Sequence, residues 1–352
     1  MIFSGALLDW YINNYRDLPW RKTNLPYNIW VSEIILQQTR VNQGINYYYK
    51  FIDAFPTIFH LANASIEDLM KIWEGLGYYS RARNMHSTAK KIAAEFRGEF
   101  PGSYKELIKL KGIGPYTAAA IASICFKEGV PVVDGNVFRV LSRYFGIPTP
   151  IDTGRGKKEF FQLAAKIMDK QRPHIYNQAI MELGAMVCTS KKTDCLNCPL
   201  NSRCYALARK SIDNFPVKSK KPNQKTRYFF YLIPVHANHT YISQRKSKDI
   251  WHSLHEFPLM EFHEQKNPKD LLKNPGGVLE NIMEYHSKAT ISTMYVHLLT
   301  HQKLITYFII FQMNRVPKVI RDNFKKTALE NLEKFAFPKL INRFLTDYSL
   351  SD

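Results

Sequence analysis

The spacing of apolar residues along the 352-residue chain changes near residue 227. Up to about residue 213, apolar side chains recur every three to four positions, which predicts a mainly helical region. After residue 227, short apolar runs predict an α+β domain. Its predicted strands are Tyr228 to Val235, Thr240 to Arg245, Thr293 to Leu299 and Leu304 to Met313, with helices near 277–285 and 327–346.

Two segments near the N-terminus have helical spacing, residues 4–15 and Tyr27 to Tyr49. The second contains Glu33, and the residues that share its helix face are Ile29, Trp30, Leu36 and Gln37. Because an apolar stripe disfavours the charged form, this carboxyl is expected to keep its proton and to suit general acid catalysis. A surface glutamate near a helix start is the alternative.

A glycine turn joins two predicted helices at about residues 103–125. Ser103 and Glu106 form a capping box for the first helix, which is predicted to end near residue 110. Pro115 suits the first position of the second helix. The turn between them contains Gly112, Ile113 and Gly114. Its backbone N–H groups suit an anion such as phosphate, and an ordinary helical hairpin is the alternative.

A second glycine turn, from Gly75 to Asn84, contains two tyrosines and two arginines. Aromatic and Arg side chains in one turn suit a surface that inserts into a base stack and contacts phosphates. A packed turn with a solvated basic rim is the alternative.

Asp134 directly precedes a predicted helix that runs through Tyr144. This position is that of an N-cap, in which the carboxylate accepts a backbone hydrogen bond. A structural cap and a catalytic role are compatible, because both need an ionised and fixed carboxylate.

The charge of the chain indicates a polyanionic partner. Lys and Arg number 49 against 30 Asp and Glu, which gives a formal net charge of +19. Nucleic acid is the leading partner, and a surplus charge that serves solubility is the alternative. No apolar stretch approaches the roughly 20 residues that span a bilayer, and the N-terminus does not resemble a signal peptide. We therefore expect an intracellular, cytoplasmic protein that is associated with DNA and has no membrane partner.

Four of the five cysteines lie within 17 residues. They are Cys188, Cys195, Cys198 and Cys204. Thiols in a reducing compartment at this spacing predict a metal site and argue against a disulfide framework. Zinc sites usually have two short Cys pairs and only one is present, so a [4Fe–4S] cluster is favoured. Cys125 is expected to be a core thiol.

Together these motifs resemble the helix-hairpin-helix base-excision glycosylases that carry an iron–sulfur cluster. Two features are similar to one branch of them, the adenine DNA glycosylases called MutY. The segment from Trp30 to Thr39 looks like that branch's catalytic helix. In addition, Tyr116 stands where the endonuclease III branch has the lysine that forms a Schiff base. The resemblance is dense from residue 3 to about 207 and weaker beyond 227.

The resemblance implies a division of roles. Glu33 would protonate adenine at N7, and Asp134 would stabilise the sugar cation, with Tyr116 and Asn136 in support. Residues implied to line the pocket are Trp20, Arg21 and Leu36; Gln178 would contact the flipped adenine, and Gln38 and Tyr78 the duplex. Lys191 and Lys192, in the loop between the first two cysteines, are expected to meet phosphates.

The remaining residues divide into a linker and a second domain. Residues 214–227 contain two prolines and five basic residues, which predicts an exposed basic linker along DNA. Residues 228–352 resemble the family's Nudix-like domain, but the glutamate-rich Mg²⁺ box is missing, so no pyrophosphatase activity is expected. The family reads 8-oxoguanine there with Phe-Ser-His. The matching residues here are Leu299, Thr300 and His301, with a histidine in an ordinary strand turn as the alternative for the last.

The sequence therefore predicts a multidomain, monomeric, monofunctional DNA glycosylase with one [4Fe–4S] cluster. The predicted substrate is adenine opposite 8-oxoguanine, and less well opposite guanine, in double-stranded DNA. One alternative is a bifunctional endonuclease III-like enzyme that acts on oxidised pyrimidines. Another is a non-catalytic DNA-binding or redox module. Gln178 alone does not exclude thymine or uracil as the base removed from a mismatch.

Overall fold

The chain forms two compact units. The computed structural model describes residues 2–219, 224–247, 249–299 and 301–350. The first unit consists of Met1–Ala64 and Asn84–Lys220, and the second of Ser65–Arg83 and Lys221–Asp352. The sequence-based boundary near residue 213 places Ser65–Arg83 in the helical region, whereas in the structure this segment lies with the C-terminal residues.

The chain is helical up to residue 214. Its α-helices are α1 (Ile2–Asn14), α2 (Pro26–Leu36), α3 (Val41–Ala54), α4 (Ile58–Asn63), α5 (Ile66–Ile72), α6 (Ser80–Glu95), α7 (Tyr104–Leu107), α8 (Pro115–Phe126), α9 (Gly135–Phe145), α10 (Gly154–Ile167), α11 (Pro173–Met186) and α12 (Tyr205–Ala208). Short 3₁₀ helices cover Pro19–Arg21, Asn201–Arg203 and Ile212–Asn214. Among the helices that the structure describes, none is long and apolar enough to cross a membrane.

Helix α8 is the centre of the helical unit. It packs against α2 and α11, and every residue from Thr117 to Ile124 is buried. A helix that is apolar all round must be enclosed by its neighbours, since it has no polar face for water. The same element carries Pro115 at its first turn, and the side chain of Ser103 caps α7 by accepting from the Glu106 N–H at 3.3 Å.

Two helix predictions in this unit were wrong in extent. The segment predicted as one helix from Tyr27 to Tyr49 is two helices, because the chain turns after Leu36 and Gln38 adopts a left-handed φ of 64°. A left-handed residue cannot continue a right-handed helix. The first helix of the hairpin ends at Leu107 and not near residue 110.

The C-terminal residues form two sheets with flanking helices. The elements are β1 (Lys225–Val235), β2 (His239–Gln244), β3 (His255–Glu256), β4 (Leu259–Phe262), α13 (Pro268–Lys273), α14 (Val278–Met283), β5 (His286–Ile291), β6 (Tyr295–Leu298), β7 (Gln302–Met313), α15 (Lys318–Asn323), β8 (Lys325–Ala328) and α16 (Lys339–Asp347). A 3₁₀ helix spans Leu329–Lys334. β1 and β7 are parallel neighbours, and β4 extends the sheet beside β1. β5 and β6 both pair with β7, and the second sheet has the order β3-β2-β8.

The side chains of β1 alternate between two apolar cores. Phe229 and Tyr231 enter one core together with Phe344 of α16, while Phe230 and Leu232 enter the other. Alternation is the geometry of a strand with both faces covered. It explains why the run from Tyr228 to Val235 reads as continuously apolar.

The four predicted strands are confirmed, and they differ from the structure only in their ends. β3, β4, β5 and β8 were not predicted. They are short, and their burial is mixed, so no apolar run marks them in the sequence. The last three residues of the predicted linker, Lys225 to Arg227, belong to β1, and Ser219 near its middle donates to Asp152.

The predicted helix over 327–346 was wrong in its first half. Its first two residues belong to β8, and the next six form the 3₁₀ helix. The α-helix begins only after Pro338, which occupies the N-cap position of α16. A proline disfavours the helical conformation in the residue before it, so a single helix could not run through this position.

Candidate active site

The Glu33 carboxyl lies inside the helical unit, on α2. Its residue is 7% exposed, and its Oε2 accepts a hydrogen bond from the Tyr116 hydroxyl at 2.5 Å. Burial raises the pKa of Glu33 to about 7, against the effect of the Tyr116 hydrogen bond and with the support of the nearby Asp134 charge. A carboxylic acid that is half protonated near neutral pH is suited to give a proton to a leaving group.

Tyr116 acts as a donor to Glu33. It is the second residue of α8, so the glycine hairpin that precedes α8 fixes its position. Burial and the two neighbouring carboxyls raise the pKa of Tyr116 well above its ordinary value, so the phenol keeps its proton. Its oxygen also lies 3.4 Å from the Met181 sulfur.

Asp134 is the predicted N-cap of α9. Its Oδ1 accepts from the Val137 N–H at 2.8 Å, and its Oδ2 accepts from the Asn136 side-chain amide at 2.8 Å. Burial raises the pKa of Asp134, while these hydrogen bonds oppose that shift. Donors on both oxygens favour the ionised form, whereas the Tyr116 hydrogen bond engages one oxygen of Glu33. The two carboxyls therefore have the contrasting environments that an acid and a stabilising carboxylate need.

Arg139 connects Asp134 with the first cysteine. Its guanidinium donates to Asn136 Oδ1 at 2.8 Å, to the Gly184 carbonyl at 2.6 Å and to the Cys188 carbonyl at 2.6 Å. Gly184 of α11 lets Asn136 of α9 lie close to it, because a Cβ on residue 184 would lie 2.6 Å from the Asn136 Cβ. Arg139 therefore fixes the Asn136 side-chain amide, which donates to Asp134.

An ion cluster around a buried carboxylate joins the N-terminal segment to α11. Glu182 is 1% exposed, and it accepts two side-chain hydrogen bonds from Arg16, at 2.8 and 2.6 Å, and two from Arg21, at 3.0 and 2.7 Å. Burial opposes ionisation, yet these hydrogen bonds lower the pKa of Glu182 to about 2. Arg21, a predicted pocket residue, is therefore held in place, and its charge acts to lower the pKa of Glu33.

The other predicted pocket residues lie in the same helical unit. Trp20 is buried with its ring 5.4 Å from that of Tyr48, and Gln178 accepts from the Tyr11 hydroxyl at 3.2 Å. Leu36 is half-buried at the end of α2. Gln38 is exposed just beyond it, while Tyr78 belongs to the other unit.

The hairpin presents backbone to solvent and an apolar side chain to the core. Gly112 has a φ of 79°, and a Cβ there would lie 2.6 Å from the Asn84 Cβ, so only glycine fits without a shift. Gly114 is exposed with open space around it, while Ile113 is 3% exposed and anchors the turn. This arrangement is compatible with close approach of a phosphate, which stays a prediction.

The four clustered cysteines line one cavity. Each is half-buried and unpaired, and Arg143 of α9 donates to the Thr189 carbonyl at 2.7 Å with its Nη1 3.5 Å from the Cys188 sulfur. In the part of the chain that the structure describes, no three His, Cys, Asp or Glu residues are arranged to hold a single metal ion. Four thiols that line one cavity are the kind of ligand set that a bound metal centre needs. Lys191 and Lys192 are exposed on the loop.

Two of the predicted lesion-reading residues, Leu299 and His301, lie between β6 and β7. The Gln224 amide donates to the Leu299 carbonyl at 3.1 Å, and the Lys225 N–H donates to the His301 carbonyl at 3.2 Å. His301 is exposed. Thr300 lies outside the described residues.

Two family models match the chain in these same regions. Residues 31–166 match the HhH-GPD superfamily base excision DNA repair protein, and residues 229–347 match the NUDIX domain. The adenine DNA glycosylase of Buchnera aphidicola subsp. Schizaphis graminum (strain Sg) is 35% identical over 349 residues, which are 98% of this chain and 98% of that relative. The chain belongs to the adenine DNA glycosylase family.

Two further comparisons support this family membership and the fold. The adenine DNA glycosylase of Homo sapiens is 44% identical over 216 residues, which cover 59% of this chain and 40% of that protein. A solved thermostable thymine-DNA glycosylase has a TM-score of 0.55 and 26% identity over 59% of this chain and 96% of its own. The predicted fold class, a helix-hairpin-helix core with a Nudix-like domain, is confirmed.

Three residues of the site were not predicted from sequence, and they are Arg16, Arg139 and Glu182. Arg139 lies three residues after Asn136 and Glu182 four residues after Gln178, so helix periodicity places each on the face of a predicted residue. Helix periodicity is a weak signal here, because it does not indicate which residue of another helix each side chain contacts.

We predict that Glu182→Gln destabilises the protein by about 3–5 kcal/mol at pH 7, because two guanidinium groups lose the buried carboxylate that they share. Denaturant unfolding measures the difference from wild type. The pKa of this Glu is lowered on folding, so its stabilisation is complete above its unfolded value of 4.5 and is lost as the pH falls toward 2. The exposed Glu95→Gln is the control, with an expected change below about 0.5 kcal/mol. Equal stability of the two variants at pH 7 would contradict the assigned role.

Proposed function

We propose that this chain is a monofunctional DNA glycosylase that removes adenine opposite 8-oxoguanine, and less well opposite guanine, from double-stranded DNA. Family membership supports a DNA N-glycosylase acting on adenine. The observation that carries the mechanism is the Glu33 and Tyr116 pair beside Asp134, in which an acid with a pKa of about 7 lies next to a hydrogen-bonded carboxylate.

Acid-assisted cleavage follows from this pair. Glu33 gives its proton to the adenine, which leaves as a neutral base while the electron pair of the glycosidic bond stays with it. Positive charge then develops on the sugar, and the Asp134 carboxylate stabilises it electrostatically. Water then adds to the sugar cation and loses a proton to the Glu33 carboxylate, which completes hydrolysis and restores the acid. Tyr116 holds the proton-bearing carboxyl in position, and Arg139 fixes the Asn136 amide that orients Asp134.

Tyr116 also argues against the bifunctional alternative. An imine needs an amine nucleophile, and the phenol here is committed as a hydrogen-bond donor to Glu33. The retained proton makes it a poor nucleophile as well. Strand cleavage through a covalent imine at this position is therefore not part of the proposed reaction.

A single [4Fe–4S] cluster held by Cys188, Cys195, Cys198 and Cys204 is part of the proposal. Its support is the four thiols around one cavity and the Arg143 guanidinium beside the Cys188 sulfur. When bound, the cluster would shape the loop that carries Lys191 and Lys192. The proton transfer and the sugar stabilisation use only protein side chains.

We predict that Glu33→Gln lowers single-turnover adenine release from an A:8-oxoguanine duplex by about 10²–10⁴-fold, because the general acid is lost. In the wild type the protonated fraction of Glu33 falls tenfold per pH unit above its pKa of about 7, so release should slow accordingly on the alkaline side. Glu95→Gln serves again as the exposed control. Release at the wild-type rate by the Glu33→Gln variant at or below pH 7, where the wild-type acid holds its proton, would eliminate the general acid assignment.

The substrate is tested by comparing A:8-oxoguanine, A:G, T:G and thymine-glycol duplexes with and without alkali. We expect breaks only in adenine-containing strands and only after alkali, because Tyr116 cannot form an imine. Borohydride should trap no covalent complex. Alkali-independent breaks in the thymine-glycol strand, with trapping, would favour the bifunctional enzyme instead.

Replacing one cluster ligand should empty the cysteine site. Cys198→Ser is expected to lose most of its bound iron and acid-labile sulfide, since serine is a poor substitute for a thiolate ligand. Cys125→Ser, on α8 and outside the cysteine cavity, is the matched control and should keep wild-type iron. Unchanged iron content in Cys198→Ser, or zinc in place of iron in the wild type, would refute the cluster.

A further inference from the structure

The segment Ser65–Arg83 is attached to C-terminal residues that lie far from it in sequence. Glu74 makes the attachment on one side. Its Oε1 accepts from the Asn342 amide at 2.6 Å and from the Phe337 N–H at 3.3 Å, while its Oε2 accepts from the Lys71 ammonium at 2.7 Å. At the far end of the segment, the Arg83 guanidinium donates to the His252 carbonyl at 2.6 Å.

Polar contacts of Glu74 bridge the two sides of a groove. A cavity of about 470 Å³ is lined by Lys71 and Glu74 on one side and by residues of 329–350 on the other. Glu74 has a side chain that is only 18% exposed. A hydrogen bond to a charged group is among the stronger contacts in a protein. The hydrogen bond between the Glu74 carboxylate and Asn342 therefore helps to hold the segment in place beside the cavity, where the two walls do not pack against each other.

The attached segment carries an exposed aromatic side chain on a constrained turn. Tyr78 is 51% exposed and has a φ of 47°, a conformation that costs energy and persists only when its surroundings hold it. The turn is stiffened by the Trp73 indole, which donates to the Gly77 carbonyl at 3.1 Å, and by Arg81, which donates to the same carbonyl at 3.2 Å. Glu74 lies next to Trp73, so displacement at Glu74 would move the base of this turn.

On the other side, Asn342 belongs to a helix that packs on the strand of the lesion-reading hairpin. Phe344, two residues later on α16, stacks on Phe308 of β7 with ring centroids 4.0 Å apart. β7 begins at Gln302, directly after His301. Ring packing and a hydrogen bond thus connect β7, α16 and Glu74, which lies in the same turn region as Tyr78.

We infer that Glu74 is a positioning residue that couples the Tyr78 turn to the C-terminal domain. Through it, the base read opposite the adenine affects the step in which the adenine is extruded. This inference rests on the proposed function and on the sequence-based prediction that Leu299 and His301 read 8-oxoguanine.

The test measures single-turnover adenine release at saturating enzyme from A:8-oxoguanine and A:G duplexes. Glu74→Ala is expected to slow release from A:8-oxoguanine about tenfold and from A:G less than about twofold, because one charged hydrogen-bond contact is lost and only the lesion signal depends on it. Asn342→Ala should slow release from the two duplexes to the same extents. The double variant Glu74→Ala/Asn342→Ala should release adenine no more slowly than either single variant, because both substitutions remove the same contact. Glu67→Gln, an exposed glutamate on α5, is the charge-matched control.

An equal loss on both duplexes would assign Glu74 a merely structural role, and wild-type rates on both would also overturn the inference. Glu74→Gln keeps the shape of the side chain, so it extends the test if the alanine variant fails to fold. Fluorescence of 2-aminopurine in place of the adenine, opposite 8-oxoguanine, reports extrusion without base release and should fall in the variants at unchanged DNA affinity. If the wild type releases no adenine, the proposed function fails, whereas a normal extrusion signal in Glu74→Ala refutes the coupling alone.

Discussion

The burial of one carboxyl group, that of Glu33, constrains the rest of the helical unit. A carboxyl in an apolar environment must be neutral or well supplied with donors, and here one donor is supplied by Tyr116 at 2.5 Å. To bring that phenol to α2, the chain needs α8 enclosed at the centre of the unit and its first turn fixed by the glycine hairpin. The hairpin therefore also fixes the position of the Tyr116 hydroxyl that donates to Glu33.

The second carboxyl depends on α9 in a comparable way. Asp134 caps this helix, and Arg139 and Arg143, one helical turn apart, connect it to the loop of Cys188. A group bound by the four cysteines would therefore be linked mechanically to the helix that holds Asp134.

The C-terminal domain is built around the parallel pair β1 and β7, with apolar cores on both faces. The segment Ser65–Arg83 belongs to the same compact unit as this domain, although more than a hundred residues of the other unit lie between them in the sequence. Glu74 and Asn342 are 268 residues apart and form a 2.6 Å hydrogen bond. A segment whose glycine turn exposes Tyr78 is thus supported by residues at the other end of the chain.

Local chemistry was readable from the sequence alone. Features that depend on residue type or on neighbouring residues can be predicted from sequence. They include the cysteine spacing, the capping of α7 and α9, the tyrosine at position 116, and the strands β1 and β7. The break between α2 and α3 was missed, because apolar periodicity continues through Gln38 and does not report backbone handedness. Only the tertiary structure decided that Arg16 and Arg21 share the Glu182 carboxylate, that Arg139 holds Asn136, and that Glu74 meets Asn342. Each of these contacts depends on how whole elements pack, which local patterns do not specify, and that packing determines which charged groups meet.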